Sequence, residues 1–578
     1  MLLAASVIPY TRVRGLMDSL SPDGEAEAFT NAFYDSILTN TRIAAAILLL
    51  ASLLLYWFRR SIVHAAFERT ALAAAYLRRM AEECAAALRA GGWHTVVALG
   101  LVAGGAALRA RWLNQPINYD ESFTFITYVS RPAIVGLSDY GYLNNHLLHT
   151  LLAHISTTMF GNAPWALRLP AFAAGCALIP LAYALARRLG DRTSGLLAAA
   201  FVATNPMLME FSACARGYAI VAACFLASAL IACDLIERND DGAWTCLAVV
   251  AAIGFFSVPV FVYAFGVVLL WILLARWQNG RLDRQAIRSM TVGTALTASL
   301  VALCYAAPLA ISGVPERWQF TAPPRSFGAF VASLGGTLPA VWRDLTRGMP
   351  PLFVAAIVGG GLAALRNGRR APLAMLVAAA VACPAAAVMV QRIVAQARAW
   401  LFLLPLSFVV SAAGWASLLG DLARTRRALA TATPGMVTAI AIALMAAAFA
   451  TQPAMFDETN EPEERFMKQD SEQIALFLKE HLRPDDAVVA VFPLDYPIEY
   501  YVRRHHLPFS LFTRPSSTAP RYIFVTNDAI GQTLEKVAAK AAFDSARIAD
   551  ARPLRAFIYS TLYEVQPARL PGVTRVNR

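Results

Sequence analysis

The sequence has little charge for its length: only 15% of its 578 residues are Asp, Glu, Lys or Arg, whereas 58% are hydrophobic. Soluble globular domains carry about 25% charged residues, and the mean hydropathy of +0.51 is also too high for one. The net charge of +12 comes largely from arginines in short clusters between apolar runs. That pattern is typical of loops that orient a membrane protein, and it argues against a nucleic-acid partner.

Several familiar signatures are also missing. The eight cysteines lie mostly inside apolar runs and none follows Cys383, so their spacing supports neither a disulfide framework nor a CxxC metal site. There is no P-loop and no glycine-rich dinucleotide fingerprint. The first ten residues are apolar but short, and basic residues follow them rather than precede them, so no ordinary secretory signal is predicted.

Long apolar runs fill most of the chain instead. A helix that crosses the hydrocarbon layer needs about 20 apolar residues, and on this criterion about twelve spans are predicted. The predicted spans are 42–58, 93–109, 165–186, 193–209, 216–236, 243–257, 259–276, 290–311, 351–365, 371–390, 399–418 and 429–450. The expected fold class is an all-α polytopic membrane protein.

The arginine clusters predict the orientation, because cytoplasmic loops carry an excess of Lys and Arg. The basic loops are 59–92, 187–192, 237–242, 276–289, 366–370 and 419–428. The alternate loops, which are 110–164, 210–215, 312–350 and 391–398, are then expected to face outward, together with both termini. The expected location is the bacterial inner membrane.

Composition divides the chain into four parts. Residues 1–41 form a polar segment on the outer face, and 42–92 add an extra span and a cytoplasmic helical segment. A transmembrane domain follows at 93–455, with 110–164 as its long outer loop. From 456 to 578, alternating strand-like and helix-like patterns predict a small periplasmic α/β domain.

Polar residues gather in the long outer loop. Asp120 and Glu121 lie in "INYDESFT", shortly after a predicted span ends. Further along, "NNHLLHTLL" holds Asn145, His146 and His149 and has an amphipathic pattern, which predicts a helix along the membrane surface with its leucines on one face. These polar groups are therefore expected near a lipid head group.

Five segments in order carry a resemblance: "INYDESFT", "NNHLLHTLL", "FGNAPWALRLPAF", "CARGYAIV" and "ARAWLFLLPL". Together they resemble the membrane glycosyltransferases of the GT-C superfamily and, more narrowly, bacterial relatives of the dolichyl-phosphate-mannose protein mannosyltransferases. The resemblance implies transfer of a sugar from a polyprenyl-phosphate donor to a lipid, glycan or protein acceptor at the outer face. It also implies an acidic catalytic base in the first outer loop, which by motif match is Asp120, with Glu121 beside it.

The chemistry favours the same residue types. A carboxylate that accepts the proton of the attacking group accelerates such a reaction by ~10²–10⁴-fold, and arginine suits the leaving phosphate. The candidate substrate- or phosphate-binding residues are Asn145, His146, His149, Arg216, Tyr218 and Arg398. Where the family often has a Gln-Glu-Ala triplet before Arg216, this chain has Ala213-Cys214-Ala215, and its nearest acid is Glu210.

Other interpretations of the same residues remain open. The acidic pair could be a solvated loop pair or a helix cap, and Arg398 could extend toward the interface. No cofactor is implied, and no Cys or carboxylate set completes a metal site around the histidines. A transporter of lipid-linked glycans is the rival function, although the spans hold few ionisable residues. An inactive relative that acts as an assembly partner is the third possibility.

Overall fold

A computed structural model gives the fold of the chain. It describes residues 9–20, 29–142, 144–277, 284–312, 326–366, 371–425, 427–459, 470–483, 486–511, 519–541, 543, 548 and 550–565. Helices dominate up to Thr459, and a small mixed domain with a four-stranded sheet follows. The predicted class, a helical membrane protein with a small C-terminal α/β domain, is confirmed.

The helices are numbered here in chain order. Those of the first part are α1 Tyr10–Leu20, α2 Asn31–Arg89, α3 Trp93–Ala110, α4 Tyr119–Thr124, α5 Ala133–Ser138, α6 Leu147–Phe160, α7 Pro164–Leu189, α8 Arg192–Thr204, α9 Pro206–Ser212, α10 Tyr218–Arg238, α11 Asp241–Ser257, α12 Phe261–Arg276, α13 Arg284–Cys304, α14 Ala306–Ser312, α15 Phe327–Leu345, α16 Pro351–Arg366, α17 Ala371–Gln391, α18 Leu403–Thr425 and α19 Arg427–Thr459. A π-helical turn, Phe125–Val129, extends α4, and a 3₁₀ turn, Ala397–Trp400, precedes α18.

Six helices in the described ranges are long and apolar enough to cross a membrane, namely α3, α7, α10, α13, α17 and the Leu403–Leu422 part of α18. The bent pair α8 and α9 would make a seventh, and α6, α11, α12, α16 and Gly435–Thr451 of α19 are shorter apolar helices. Each predicted span overlaps one helix or two consecutive ones, as expected of an integral membrane protein. The count of about twelve stays a prediction.

The N-terminal part differs from the predicted division at residue 42. One helix of 59 residues, α2, includes both the predicted span and the predicted cytoplasmic segment. It begins at Asn31, where the Thr30 hydroxyl accepts a hydrogen bond from the Phe33 N–H at 3.2 Å. No glycine or proline occurs between Asn31 and Gly91, so nothing local ends the helix earlier.

A sharp break divides one predicted span. Helices α8 and α9 meet at 63°, because Pro206 cannot continue the hydrogen-bond ladder and Asn205 instead caps α9 through the Leu208 N–H at 2.9 Å. The break leaves the last carbonyl groups of α8 without helical partners.

Arg109 of α3 satisfies these carbonyl groups. Its side chain is fully buried, and within the described part of the chain no carboxylate pairs with it. Its acceptors are the carbonyl oxygens of Gly105, Val202 and Ala203 at 3.0, 2.9 and 3.0 Å and the Ser212 hydroxyl at 3.2 Å. The partial negative charge at the end of α8 favours a cation there, so Arg109 joins α3 to both halves of the broken helix.

Close backbone contact joins α16 and α18. A Cβ atom added to Gly414 would lie 1.8 Å from the Gly360 carbonyl oxygen, so only glycine fits. Nearby, the Trp415 indole N–H donates to the Ala356 carbonyl at 2.8 Å. Small residues that allow such contact are typical of helix packing in membranes.

Three loops that were predicted to be cytoplasmic come together at one end of the bundle. The Tyr76 hydroxyl donates to Asp234 at 2.8 Å, and Arg188 donates to the other oxygen of the same carboxylate at 2.8 Å. Arg79 pairs with Asp240 at 2.9 Å. These contacts hold the second half of α2 against the ends of α7 and α10.

The C-terminal domain is a four-stranded mixed sheet with three helices. Its elements are α20 Ser471–His481, β1 Ala487–Val489, α21 Asp495–Arg504, β2 Tyr522–Asn527, α22 Leu534–Lys540, β3 Arg552–Ala556 and β4 Ser560–Val565, with a 3₁₀ turn at Asp528–Ile530. The strand order is β1-β2-β4-β3, in which β1 and β2 are parallel and the other pairs are antiparallel. The β-branched strand expected after "RPDD" corresponds to β1 and the strand "RYIFVTND" to β2, and "RAFIYSTLYEV", expected as a strand or a hairpin, contains the end of β3 and all of β4.

Helix α21 attaches this domain to the long outer loop. The Tyr501 hydroxyl accepts from the Ile117 N–H at 3.2 Å, and the Tyr500 hydroxyl donates to the Asn162 carbonyl at 2.6 Å. The Tyr500 ring also packs against Phe125, with the centroids 5.0 Å apart. The domain therefore lies directly against the loop that holds Asp120.

We expect Arg109→Met to lower the thermal unfolding midpoint of the purified protein in detergent. Each buried acceptor that loses its partner costs about 1–3 kcal/mol. Arg109→Lys should recover part of the loss, because an ammonium group keeps the charge but cannot reproduce the planar fork. Arg111→Met, at the exposed end of the same helix, is the matched control. Equal midpoints for the two methionine variants would contradict this role.

Candidate functional site

Helix α4 places the acidic pair in its first turn. Asn118 caps the helix: its side-chain oxygen accepts from the Glu121 N–H at 2.8 Å, and the Glu121 carboxylate accepts from the Asn118 N–H at 3.1 Å. This reciprocal capping box fixes where the helix begins. The cap is therefore Asn118, and Asp120 is left free of that task.

Glu121 is fully buried in a dense set of hydrogen bonds. Arg168 of α7 binds both of its oxygens, at 2.7 and 2.6 Å, and the Ala215 N–H donates to it at 2.6 Å. Burial alone would raise the pKa of Glu121, but the charge and hydrogen bonds of Arg168 lower it. The carboxylate thus stays ionised and joins α4, α7 and the turn before α10.

Arg168 has further partners in the loop before α4. Its guanidinium donates to the carbonyl oxygens of Leu113, Gln115 and Pro116 at 2.9, 2.7 and 3.2 Å. Arg168 thereby holds the chain that leads into the acidic pair. No neighbouring sequence pattern predicts that Glu121 is its partner.

Asp120 has a different environment. Its side chain is 37% exposed, and the same oxygen, Oδ2, lies 3.5 Å from Arg216 Nη2 and 3.7 Å from Arg398 Nη1. Charge-assisted hydrogen bonds of this kind are about 2.7–2.9 Å long, so neither guanidinium is tightly bound to the carboxylate. The structure therefore brings together three of the residues selected from the sequence, from three distant segments.

The two arginines differ in how firmly they are held. Arg216 is buried between α9 and α10 and donates to the Asn144 carbonyl at 3.2 Å. Burial lowers its pKa, but Asp120, Tyr218 and Cys214 together outweigh this and the pKa is raised. Arg398 lies in the 3₁₀ turn before α18 with 42% of its side chain exposed. The cluster of one carboxylate and two guanidiniums has one surplus positive charge, which favours an anion.

His146 supports the cluster of Asp120, Arg216 and Arg398 through the turn before α10. Its Nδ1 accepts a hydrogen bond from the Gly217 N–H at 2.8 Å, and its ring packs edge-on against Tyr218, the first residue of α10. Burial, together with the charge of Arg216, lowers the pKa of His146 well below its usual value. The imidazole is therefore neutral and holds the turn next to Arg216.

Asn145 and His149 are also buried. The Asn145 amide donates to the Gly136 and Asp139 carbonyls at 2.7 Å each, and its oxygen accepts from Thr150 at 2.8 Å. Burial and the charge of Arg216 lower the pKa of His149 to about 3. Neither ring nitrogen of His149 has a hydrogen-bond partner among the residues that are described.

The orientation of α6 corrects one expectation. The sequence predicted a surface helix with its leucine face apart from a polar face of histidine and threonine. Instead His149 and Thr150 face the protein interior, whereas Leu152, Ile155 and Met159 are 37%, 47% and 69% exposed. Lipid is as apolar as leucine, so packing and hydrogen bonding, rather than hydrophobicity, decide which face turns inward.

The C-terminal domain adds aromatic side chains beside Asp120. The ring centroids of Tyr119 lie 4.8 Å from those of Phe492 and 5.4 Å from those of Tyr496, and Phe123 lies 4.9 Å from Tyr496. Burial raises the pKa of the neighbouring Asp495 to about 6. In the sequence, only the density of aromatic residues in "PLDYPIEYYVRRHH" indicates this contact.

Two further residues close to these segments in sequence, Glu210 and Arg392, lie outside the cluster. Glu210, the acid nearest to Arg216 in that turn, pairs with Arg347 at 3.5 Å. Arg392 is exposed and has a left-handed backbone, with φ of 54°. In the described ranges, no three His, Cys, Asp or Glu side chains are grouped closely enough to hold a metal ion.

A protein-family model matches the middle of the chain. The model of the family described as dolichyl-phosphate-mannose-protein mannosyltransferase matches residues 145–311. This range covers α6 to α14 and includes Arg216, whereas Asp120 and Arg398 lie outside it. No curated protein sequence matches the chain.

Solved structures extend the likeness to most of the chain. ArnT from Cupriavidus metallidurans in the apo state is 13% identical with a TM-score of 0.53, over 82% of this chain and 98% of that one. The same protein bound to undecaprenyl phosphate is 14% identical with a TM-score of 0.49 over the same shares. The Archaeoglobus fulgidus oligosaccharyltransferase tethered to an acceptor peptide is 14% identical over 74% of this chain and 60% of that one, with a TM-score of 0.46.

At these identities the structural likeness shows the fold alone, and apo ArnT carries that conclusion. The family match comes independently, from the sequence of α6 to α14. Together they confirm the resemblance carried by the sequence motifs: the chain is similar to the GT-C membrane glycosyltransferases of the dolichyl-phosphate-mannose protein mannosyltransferase type and has their fold.

Proposed function

We propose that the chain transfers a sugar from a polyprenyl-phosphate-linked donor to an acceptor at the periplasmic face, with Asp120 as general base. One observation carries the proposal: a partly exposed carboxylate stands between two arginines, Arg216 and Arg398, at distances of 3.5 and 3.7 Å. The matched family is named for a donor of this kind, dolichyl-phosphate mannose.

The arrangement suits each step of the transfer. Arg216 and Arg398 bind the donor phosphate, for which their planar donor groups are well shaped. Asp120 accepts the proton of the acceptor hydroxyl or amine as that group bonds to the sugar carbon. The bond between the sugar carbon and the phosphate oxygen breaks, and the polyprenyl phosphate leaves with its negative charge beside the arginines.

The two ends of the bundle support the periplasmic side. The arginine-rich loops meet around Asp234 and Asp240, at the end that the positive-inside rule makes cytoplasmic. Asp120 precedes α7 in the chain, whereas Arg188 lies in its last turn, so the length of one spanning helix separates the two ends. The C-terminal domain, which contacts α4, then lies in the periplasm.

Glu121 has a positioning role in this proposal. Both of its oxygens are occupied by Arg168 and backbone N–H groups, and the residue has no exposed surface. A carboxylate so placed cannot reach an acceptor. It fixes the helix on which Asp120 is carried.

Asp120→Asn should lower kcat for sugar transfer by ~10²–10⁴-fold with little change in the thermal unfolding midpoint. The amide keeps the shape of the side chain but cannot take a proton. The measurement is transfer from polyprenyl-phosphate sugars to candidate acceptors by the purified protein. Asp421→Asn, an exposed carboxylate at the far end of α18, is the control. Unchanged transfer in Asp120→Asn would exclude the base assignment, and a wild-type protein inactive with every donor would favour a transporter or an assembly partner.

Arg398→Gln should weaken binding of the donor phosphate. We expect the KM for the donor, and the inhibition constant of sugar-free polyprenyl phosphate, to rise about tenfold, as the loss of one charge-assisted contact would give. Arg343→Gln on α15 removes an exposed arginine elsewhere and should change neither. If the inhibition constant is the same in wild type and Arg398→Gln, Arg398 does not contact the phosphate.

Glu121→Gln should act on stability, because it leaves Arg168 buried without its counter-charge. Breaking a buried pair costs about 3–5 kcal/mol, which a thermal unfolding midpoint in detergent will detect. The pKa of Glu121 is lowered in the folded state, so its contribution is fully present above its unfolded pKa and is lost as the pH falls through the folded value. The difference in unfolding midpoint between wild type and Glu121→Gln should therefore be constant at neutral pH and become smaller in acid. A normal midpoint with abolished transfer would instead make Glu121 catalytic.

A further inference from the structure

A polar cavity lies between the C-terminal domain and the turn that precedes α7. Its volume is about 400 Å³, which is within the usual range for small-ligand pockets, about 300–1,000 Å³. The side chains that matter for its chemistry are Asn162, Glu499, Arg503, His506, Phe509 and Ser510. None of them belongs to the cluster around Asp120.

The polar groups of this cavity are held in place by one another. Glu499 is buried and accepts hydrogen bonds from Arg503 Nε at 3.0 Å, from the Ser510 hydroxyl at 3.0 Å and from the Leu511 N–H at 2.8 Å. Arg503 also donates to the Ser130 hydroxyl at 3.2 Å. The cavity is therefore preorganised, which lowers the cost of binding a ligand.

Helix α21 sets the distance between this cavity and the proposed active site. Tyr496, in its first turn, contacts Tyr119 and Phe123 beside Asp120. Arg503, in its last turn, lines the cavity. Seven residues of α-helix span about 10 Å. A ligand of a few linked rings could therefore occupy both places.

The lining favours a neutral ligand with many hydroxyl groups. An amide, a guanidinium, an imidazole, a hydroxyl and a carboxylate offer both donors and acceptors, and the Phe509 ring offers an apolar face. A lipid phosphate fits less well, because the Glu499 carboxylate lines the same cavity and neutralises Arg503.

We propose that this cavity binds a sugar unit of a glycan acceptor, remote from the unit that receives the transferred sugar. The inference rests on the proposed transferase function and deepens it by naming the acceptor class. It assigns to the C-terminal domain a specificity-determining role, carried by His506 and Phe509.

Binding can be tested without turnover. The full chain in nanodiscs, with no donor present, is mixed with methyl glycosides of common hexoses and with a short β-linked glucan, and saturation-transfer NMR reports bound ligand. His506→Gly removes the imidazole without backbone strain, because φ at His506 is 50° and glycine adopts that region freely. Phe509→Ala removes the ring. His481→Ala, an exposed histidine on α20, is the matched control.

We expect saturation transfer from the wild type and from His481→Ala to at least one of these sugars, and about tenfold weaker binding in His506→Gly and Phe509→Ala. If no sugar receives NMR saturation from the wild type, or if all variants bind with equal affinity, the inference is overturned. Binding of the protein to vesicles of anionic lipid, but to none of the sugars, would also overturn it. Sugar binding in a protein that never transfers sugar would refute the proposed function while leaving the cavity assignment intact.

Discussion

The buried pair of Glu121 and Arg168 is the interaction on which the site depends. Taking two charges out of water is costly, and it is offset here by two-point contact at 2.7 and 2.6 Å and by hydrogen bonds to the remaining groups. Because Glu121 also accepts a hydrogen bond from the Ala215 N–H, it fixes the first turn of α4 and the turn before α10 relative to each other. Asp120 is its neighbour in sequence, and Arg216 follows Ala215.

Arg109 is another buried charge, in the last turn of α3 and beside the end of α8. That residue is tolerated at the break between α8 and α9 because the carbonyl groups freed by Pro206 need donors. The same break leads the chain through α9 into the turn that holds Arg216. The break between α8 and α9, which Arg109 stabilises, thus contributes to the geometry of the cluster around Asp120.

The sequence predicted the helices well, because the thickness of the hydrocarbon layer dictates the length of each apolar run. It also selected Asp120, Arg216 and Arg398, which the fold brings together. It could not predict the inward face of α6, since lipid and protein interior are both apolar and the hydrophobic pattern does not distinguish them. The contacts of α4 with Phe492 and Tyr496 join segments hundreds of residues apart, and no local pattern encodes them.

The two adjacent carboxylates, Asp120 and Glu121, have opposite environments. Successive residues of a helix point about 100° apart, so the first turn of α4 directs Glu121 into the protein and Asp120 toward Arg216 and Arg398. One is fully buried and keeps its charge through Arg168, whereas the other is 37% exposed between two loosely placed arginines. A base must release its proton and accept another in each cycle, which requires access to acceptor and solvent. Of the two, only Asp120 has that access, and the rigidity that keeps it in place comes from the carboxylate that lacks it.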